Sequence, residues 1–394
     1  MRSVHQEGVC GARRPSTRRF GVVCKDTGAV GTLKLICIDD IFKFIRLTLF
    51  HITTYDNMTH HNRPFRCAMA ATLALPLMAA SCANGGKPLP QNSADAKMAE
   101  LPAVSFSQDS AYAYVAAQTA FGPRVPGTEA HAQCVDYLTA KLRQFGAEVS
   151  VMEATGTTYD GKPQAVRNIM ASYRPDRVNR VLLCAHYDSR PFADHDPDKS
   201  LQDKPIIGAN DGASGVGVLM EVARQLQAKA PAVGVDIIFF DAEDGGTPDH
   251  KPAEYRPDTW CVGSQLWAKG PGRDARHRFG ILLDMVGDAN AVFPVEQFSK
   301  AKAPDVVDKV WTIAERLGLG DLFRRSDGGY ITDDHYYINT LTQVPTVDVI
   351  HYDPQLPKGF CDTWHTQADV LAAISPATLG AVGKVVMTVV YAEK

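Results

Sequence analysis

Six short polar clusters carry the residue types from which a metal-assisted reaction can be built. They are His186-Tyr187-Asp188-Ser189, Gly208-Ala209-Asn210-Asp211-Gly212, Asp241-Ala242-Glu243-Asp244, Asp284, Asp333-Asp334-His335 and Trp364-His365-Thr366. Histidine and carboxylate side chains are the donors that a divalent zinc ion takes, and a catalytic zinc site leaves one coordination position open for substrate. Taken singly, each cluster has an ordinary explanation. An acidic residue after a strand caps a helix or turns the chain in solvent, and a lone His186 or His335 serves as a hydrogen-bonded structural residue. Taken together they are harder to dismiss, because the ordinary explanation must then be repeated for every cluster in turn.

The elements that must position these clusters are legible beside them. Val181-Leu182-Leu183 precedes His186, Ile237-Ile238-Phe239-Phe240 precedes Glu243, and Ile281-Leu282-Leu283 precedes Asp284. Strands are expected over 147–153, 165–173, 180–185, 235–240, 280–283 and 345–350, and helices over 128–145, 213–227, 304–317 and 376–391. Several of the β runs are apolar throughout, as in strands covered on both faces. Alternation of such runs with helical periodicity predicts one α/β domain, an open sheet with helices on both faces. In such sheets, sites form just past the carboxyl ends of strands, where these clusters fall.

The chain has 394 residues, 45% of them hydrophobic and 22% charged, which places it in the globular regime and away from disorder. A formal net charge of −3 gives no basic footprint for nucleic acid. Between Arg63 and Cys82, two arginines precede the apolar stretch 68–80, which ends in Ala79-Ala80-Ser81-Cys82. The stretch is too short to span about 30 Å of hydrocarbon as a helix and reads as a signal peptide. It resembles a bacterial lipoprotein signal, with Ala79 where Leu is usual, and this implies lipidation of Cys82 and an exported, membrane-anchored protein facing the periplasm. A signal must be N-terminal, so synthesis is expected to start at Met58, with 1–57 as upstream translation or disordered extension. Residues 83–100 read as a flexible tether and 101–394 as the catalytic domain. Cys134, Cys184, Cys261 and Cys361 lie too far apart in sequence for any Cys-x-x-Cys pair.

In order, the motifs from His186 to His365 resemble those of the zinc aminopeptidase-like superfamily, and within it they are most similar to glutaminyl-peptide cyclotransferases. The resemblance covers roughly residue 111 to the C-terminus. It implies a central mixed, mostly parallel, twisted sheet flanked by helices. For the cyclases it implies one zinc per chain held by Asp211, Asp244 and His365, with Glu243 as general base and acid. It further implies that Asp284 and Asp333 form an acidic hydrogen-bonded pair orienting Glu243, that Trp364 and Phe360 wall the substrate pocket, and that His186 and His335 lie near the site. The reaction implied is closure of the N-terminal glutamine of a peptide or protein into pyroglutamate with release of ammonia.

The ligand residues do not by themselves separate the cyclases from the two-zinc aminopeptidases, which use positions like His186, Asp211, Asp244, Asp284 and His365. Asp333 favours the cyclase, since the peptidases commonly carry Ser there, and so do Trp364 and Phe360. A di-zinc aminopeptidase is the alternative. A binding module on the same fold would be expected to have lost Glu243, Asp211 or His365, and all three are present. Two departures from the animal enzymes stand out. Glu243-Asp244 replaces Glu-Glu, leaving a hard carboxylate ligand one methylene shorter, and Cys184 faces Val216 where an animal-type disulfide partner would stand, so no such bridge is expected.

Overall fold

A computed structural model describes residues 100–394. The signal segment with Cys82, the upstream residues and the tether up to residue 99 lie outside the described residues.

Six strands form the central sheet: β1 (Glu148–Thr157), β2 (Pro163–Tyr173), β3 (Arg180–His186), β4 (Gly234–Phe240), β5 (Gly280–Asp284) and β8 (Thr346–Ile350), in the order β1-β2-β4-β3-β5-β8. The β1–β2 and β2–β4 pairs are antiparallel, whereas β3–β4, β3–β5 and β5–β8 are parallel. The sheet is therefore mixed with a parallel majority. A separate parallel pair joins β6 (Phe293–Val295) to β7 (Phe323–Asp327).

The unbroken apolar runs of the central strands follow from burial on both faces. Side chains alternate along a strand, so Val181, Leu183, Ala185, Val235, Ile237, Phe239, Ile281 and Leu283 enter one core, while Leu182, Cys184, Ile238, Phe240 and Leu282 enter the other. The first core packs under α1 (Gln108–Thr119), α2 (Glu129–Gln144), α3 (Ala213–Ala228), α6 (Pro304–Arg316) and α8 (Pro376–Ala392). The second is closed by Trp267 and Ala268 of α4 (Val262–Lys269) and Ile338 of α7 (Asp334–Leu341). A six-residue helix, α5 (Gln297–Lys302), completes the set described here. No helix among the described residues is long and apolar enough to cross a membrane.

All six expected strands and all four expected helices are present, with ends displaced by a few residues at most. The elements not expected from the sequence are α1, α4, α5, α7, β6 and β7. Helices α4 and α7 have only eight residues each, too few to develop a clear period, and α7 begins inside a polar cluster. Strand β7 reads Phe-Arg-Arg-Ser-Asp and is exposed after its first residue, so no apolar run marks it. The four described cysteines are free, as expected for Cys184, whose thiol lies in the second core.

Candidate metal and catalytic site

The clusters converge at the carboxyl ends of the parallel strands. His186 ends β3, Glu243 and Asp244 follow β4, and Asp284 ends β5; Asp211 lies just before α3, and Asp333 caps α7. His365 arrives from the long segment after β8. Donor atoms of Asp211, Asp244 and His365 lie within 4.8 Å of one another, and so do those of His186, Asp211 and Asp284. Asp211 belongs to both groups. His365 Nε2 stands 3.3 Å from Asp244 Oδ1 and 3.5 Å from Asp211 Oδ2. His186 Nε2 stands 3.2 Å from Asp211 Oδ1 and 3.2 Å from Asp284 Oδ1.

Buried polar groups fix the loops that carry these residues. Arg124 is fully buried and donates to the carbonyls of Tyr187, Ile207 and Gly208. Asp369 accepts from the backbone N–H groups of Asn210 (2.7 Å) and Asp211 (3.0 Å). Asp188 accepts from those of Glu243 and Asp244, both at 3.2 Å. Gly212 has φ +100, and an added Cβ there would collide with the Asp188 carbonyl, so the turn into α3 requires glycine. Three other residues at the site occupy the left-handed region: Ala242 (φ 53), Met285 (φ 47) and His365 itself (φ 53). Such conformations are costly for residues with a Cβ and persist where surrounding contacts impose them.

The electrostatics are those of a carboxylate cluster that wants a cation. Burial, then the charges of His186, Asp333 and Asp244, act on Glu243 with the net effect of holding it well above the usual carboxylate range. Burial and repulsion from Asp211 push Asp244 up, and burial pushes Asp284 up against its hydrogen bond from His186. Burial and the charge of Asp284 push Asp333 up to about 7. Asp244 Oδ2 is buried without a hydrogen-bond partner. One imidazole and two carboxylates around an unpartnered buried oxygen make a donor set that fits zinc. Behind it, Asp194 Oδ1 lies 3.3 Å from His365 Nδ1, and the Asp194 carboxylate is gripped by Arg190 at 2.8 and 2.6 Å. That is the carboxylate–histidine arrangement that sets the ring orientation and tautomer of a metal ligand.

The site opens into a cavity of about 440 Å³ lined by Glu243, Asp284, Asp333 and the three donor residues together with an aromatic wall. Trp364 and Phe360 form that wall, their ring centroids 4.4 Å apart, with the Trp364 ring 4.0 Å from that of His365. His186 lies buried beneath the floor. His335 stays near the site without lining the cavity: its Nε2 meets Glu296 at 2.8 Å, its Nδ1 lies 3.5 Å from Asp348, and a ring nitrogen lies within 4.8 Å of an Asp333 oxygen, so it is a buried residue behind the site. Sequence reading missed Arg190, Asp194 and Trp260. The Trp260 ring stacks parallel to His365 at 6.2 Å and carries the Arg190 guanidinium 4.5 Å above it. For Arg190 and Asp194 the available signal was two charged residues four and eight positions after His186; Trp260 had none.

A profile of peptidase family M28 matches residues 168–390. Among solved structures, the Tannerella forsythia glutaminyl cyclase is 52% identical, with a TM-score of 0.72 over 74% of this chain and all of that one. A Zn-dependent exopeptidase from Parabacteroides distasonis is 51% identical, with a TM-score of 0.72 over 75% of this chain and all of that one. The mouse glutaminyl-peptide cyclotransferase-like protein is 26% identical over 286 residues, spanning 65% of this chain and 68% of its own length. Sequence match, fold and the order of site residues thus agree, and the chain belongs to peptidase family M28, in the group that includes the bacterial glutaminyl cyclases.

Proposed function

We infer that this chain is a zinc-dependent glutaminyl-peptide cyclotransferase acting on peptides and proteins that begin with glutamine. The observation that carries the reading is the Trp364–Phe360 wall set directly against His365, with Glu243 and Asp333 facing the same cavity. A cavity with such a wall holds a short side chain curled back on its own amine. Asp211, Asp244 and His365 are the proposed ligands of one zinc per chain, which when bound supplies a Lewis acid for the glutamine amide oxygen.

The chain's own residues do the rest. The α-amine nitrogen attacks the side-chain amide carbon, a C–N bond forms to close the five-membered lactam, and the bond to the amide nitrogen breaks to release ammonia. Glu243 takes the proton that the α-amine gives up and returns it to the departing nitrogen, first base and then acid. Its buried setting raises its proton affinity, which suits both halves of that task. Asp284 and Asp333 line the same cavity and steady the developing charge, but they do so without the expected hydrogen bond between them: Asp284 Oδ1 meets His186 Nε2 at 3.2 Å, and Asp333 accepts from the Asp334 N–H with its Oδ2 unpartnered. Trp364 and Phe360 hold amine and amide within reach, and such confinement lowers a barrier by several kcal/mol.

A di-zinc aminopeptidase is the second reading, favoured by the group His186, Asp211 and Asp284, which shares Asp211 with the first group. Incubating the purified domain with a Gln-initiated peptide separates the two. The cyclase removes ammonia and keeps the first residue, whereas the peptidase removes the whole residue. Metal analysis adds a second readout, about one zinc per chain against two. We also propose export with a lipid on Cys82; membrane association that persists in Cys82→Ser would refute it.

A further inference from the structure

We propose that Cys261 is a positioning residue for Glu243, its thiol holding Oε1 so that Oε2 is the oxygen presented to the reacting atoms. The proposal rests on the reading of Glu243 as proton carrier.

Two links join the residues. Cys261 Sγ lies 3.1 Å from Glu243 Oε1, and the Cys261 backbone N–H donates to the Glu243 carbonyl at 2.8 Å. Among the described residues the thiol donates the one hydrogen bond that reaches this carboxylate; His186 Nδ1 stands 4.0 Å from Oε2, and the other near neighbours, Asp244 and Asp333, are themselves carboxylates. Sγ, a Glu243 oxygen and an Asp333 oxygen lie within 4.8 Å of one another, so the thiol sits where two acids would otherwise meet without a donor between them. Burial and the Glu243 charge hold the thiol well above its usual range, so it keeps its proton and remains a donor.

The backbone gives an independent indication. Cys261 caps α4 at φ 55, ψ 36, the left-handed region that favours glycine. A residue chosen only for backbone fit would have no side chain there.

The test compares Cys261→Ala, Cys261→Gly and Cys261→Ser, measuring kcat, KM and zinc content. Glycine suits the φ angle and therefore removes the thiol without asking the backbone to move. We expect Ala and Gly to lower kcat about tenfold with KM and zinc unchanged, as for loss of one weak bond to a charged group. Ser, which keeps a donor, stays within a few-fold of the parent. Adding Cys261→Ala to Glu243→Gln should cost nothing more, because the group being positioned is already disabled. Parental kcat in Ala or Gly, or a Ser variant as poor as Ala, overturns the proposal. If Glu243→Gln itself cyclises at the parental rate, the reading of Glu243 fails first and this inference falls with it.

Discussion

The two ends of the same central strands are built to opposite electrostatic plans. At their amino ends, Asp236 of β4 is matched in full. Arg180 of β3 donates from Nε at 2.7 Å and from Nη2 to the other oxygen, His277 Nε2 lies at 2.7 Å, and Ser172 Oγ accepts from the same guanidinium at 2.6 Å. At their carboxyl ends, Asp211, Glu243, Asp244, Asp284 and Asp333 crowd together, and Asp244 Oδ2 and Asp333 Oδ2 are buried without a partner. Burial costs a charge its hydration, and the chain normally offsets that with a partner. One end obeys the rule. The other violates it with several residues at once, and such concentrated violation marks the end where a cation and a substrate belong.

The largest expected effect comes from removing a donor at the carboxyl end. His365→Ala or Asp211→Ala should lose most of the bound zinc and nearly all cyclisation, since a three-ligand site has no spare donor. Metal analysis of the purified variants checks this, and parental zinc content in both would mean that the ligands are misassigned. Glu243→Gln comes next. It keeps the shape but cannot carry the proton, so the rate should fall by roughly 10²- to 10⁴-fold with zinc still bound. The two results together separate metal holding from proton transfer within one cluster.

Smaller effects sharpen the contrast between residues that touch the substrate and those behind them. Asp333→Ser introduces the residue common in the peptidases. It should lower cyclisation by roughly 10²-fold, the low end of the acid–base range, without unfolding the chain, because a polar exchange at a cavity wall leaves no large core void. A silent Asp333→Ser would leave the choice of cyclase over peptidase resting on Trp364 and Phe360. Asp194→Asn should weaken zinc affinity roughly tenfold, the scale on which a partner behind a ligand acts. Competition with a chelator reads that directly, and an unchanged affinity would show that Arg190 and Trp260 alone suffice to orient His365.

How much of this was legible in the sequence follows the same division. Strands whose both faces are buried announce themselves, because Val181 to Ala185 or Ile237 to Phe240 must be apolar at every position. The residues at or just past their ends, His186, Glu243, Asp244 and Asp284, are therefore brought together at the carboxyl end of the sheet. What stayed hidden was side-chain direction at the start of α7 and in the loops. Nothing in the order Asp333-Asp334-His335 reveals that Asp333 faces the cavity while His335 turns to Glu296 and Asp348. Likewise Asp194 and Trp260 act on His365 from segments more than a hundred residues away in sequence, a contact that only the folded chain creates.

The smallest expected effect tests the amino end, where the prediction is a change in stability and none in catalysis. Asp236 lies far along β4 from Glu243, and its carboxylate is held well below the usual range. Burial opposes that shift, but the hydrogen bonds from His277 and Arg180 outweigh it. A carboxylate whose folded-state affinity for protons is depressed contributes stability that is complete above the unfolded-state range near pH 4 and is lost as pH falls further. Asp236→Asn should therefore unfold a few degrees lower at neutral pH, a loss of about 1–2 kcal/mol given that the pair is partly screened at the amino end of the strand. The gap between variant and parent should close as pH drops below about 4, where the parent's carboxylate takes up its proton. Activity and zinc content at a temperature well below either transition should match the parent. Were Asp236→Asn to lose zinc or cyclisation at such a temperature, the two ends of the sheet would be coupled, and the division between a self-neutralised structural end and a cation-seeking functional end would have to be given up.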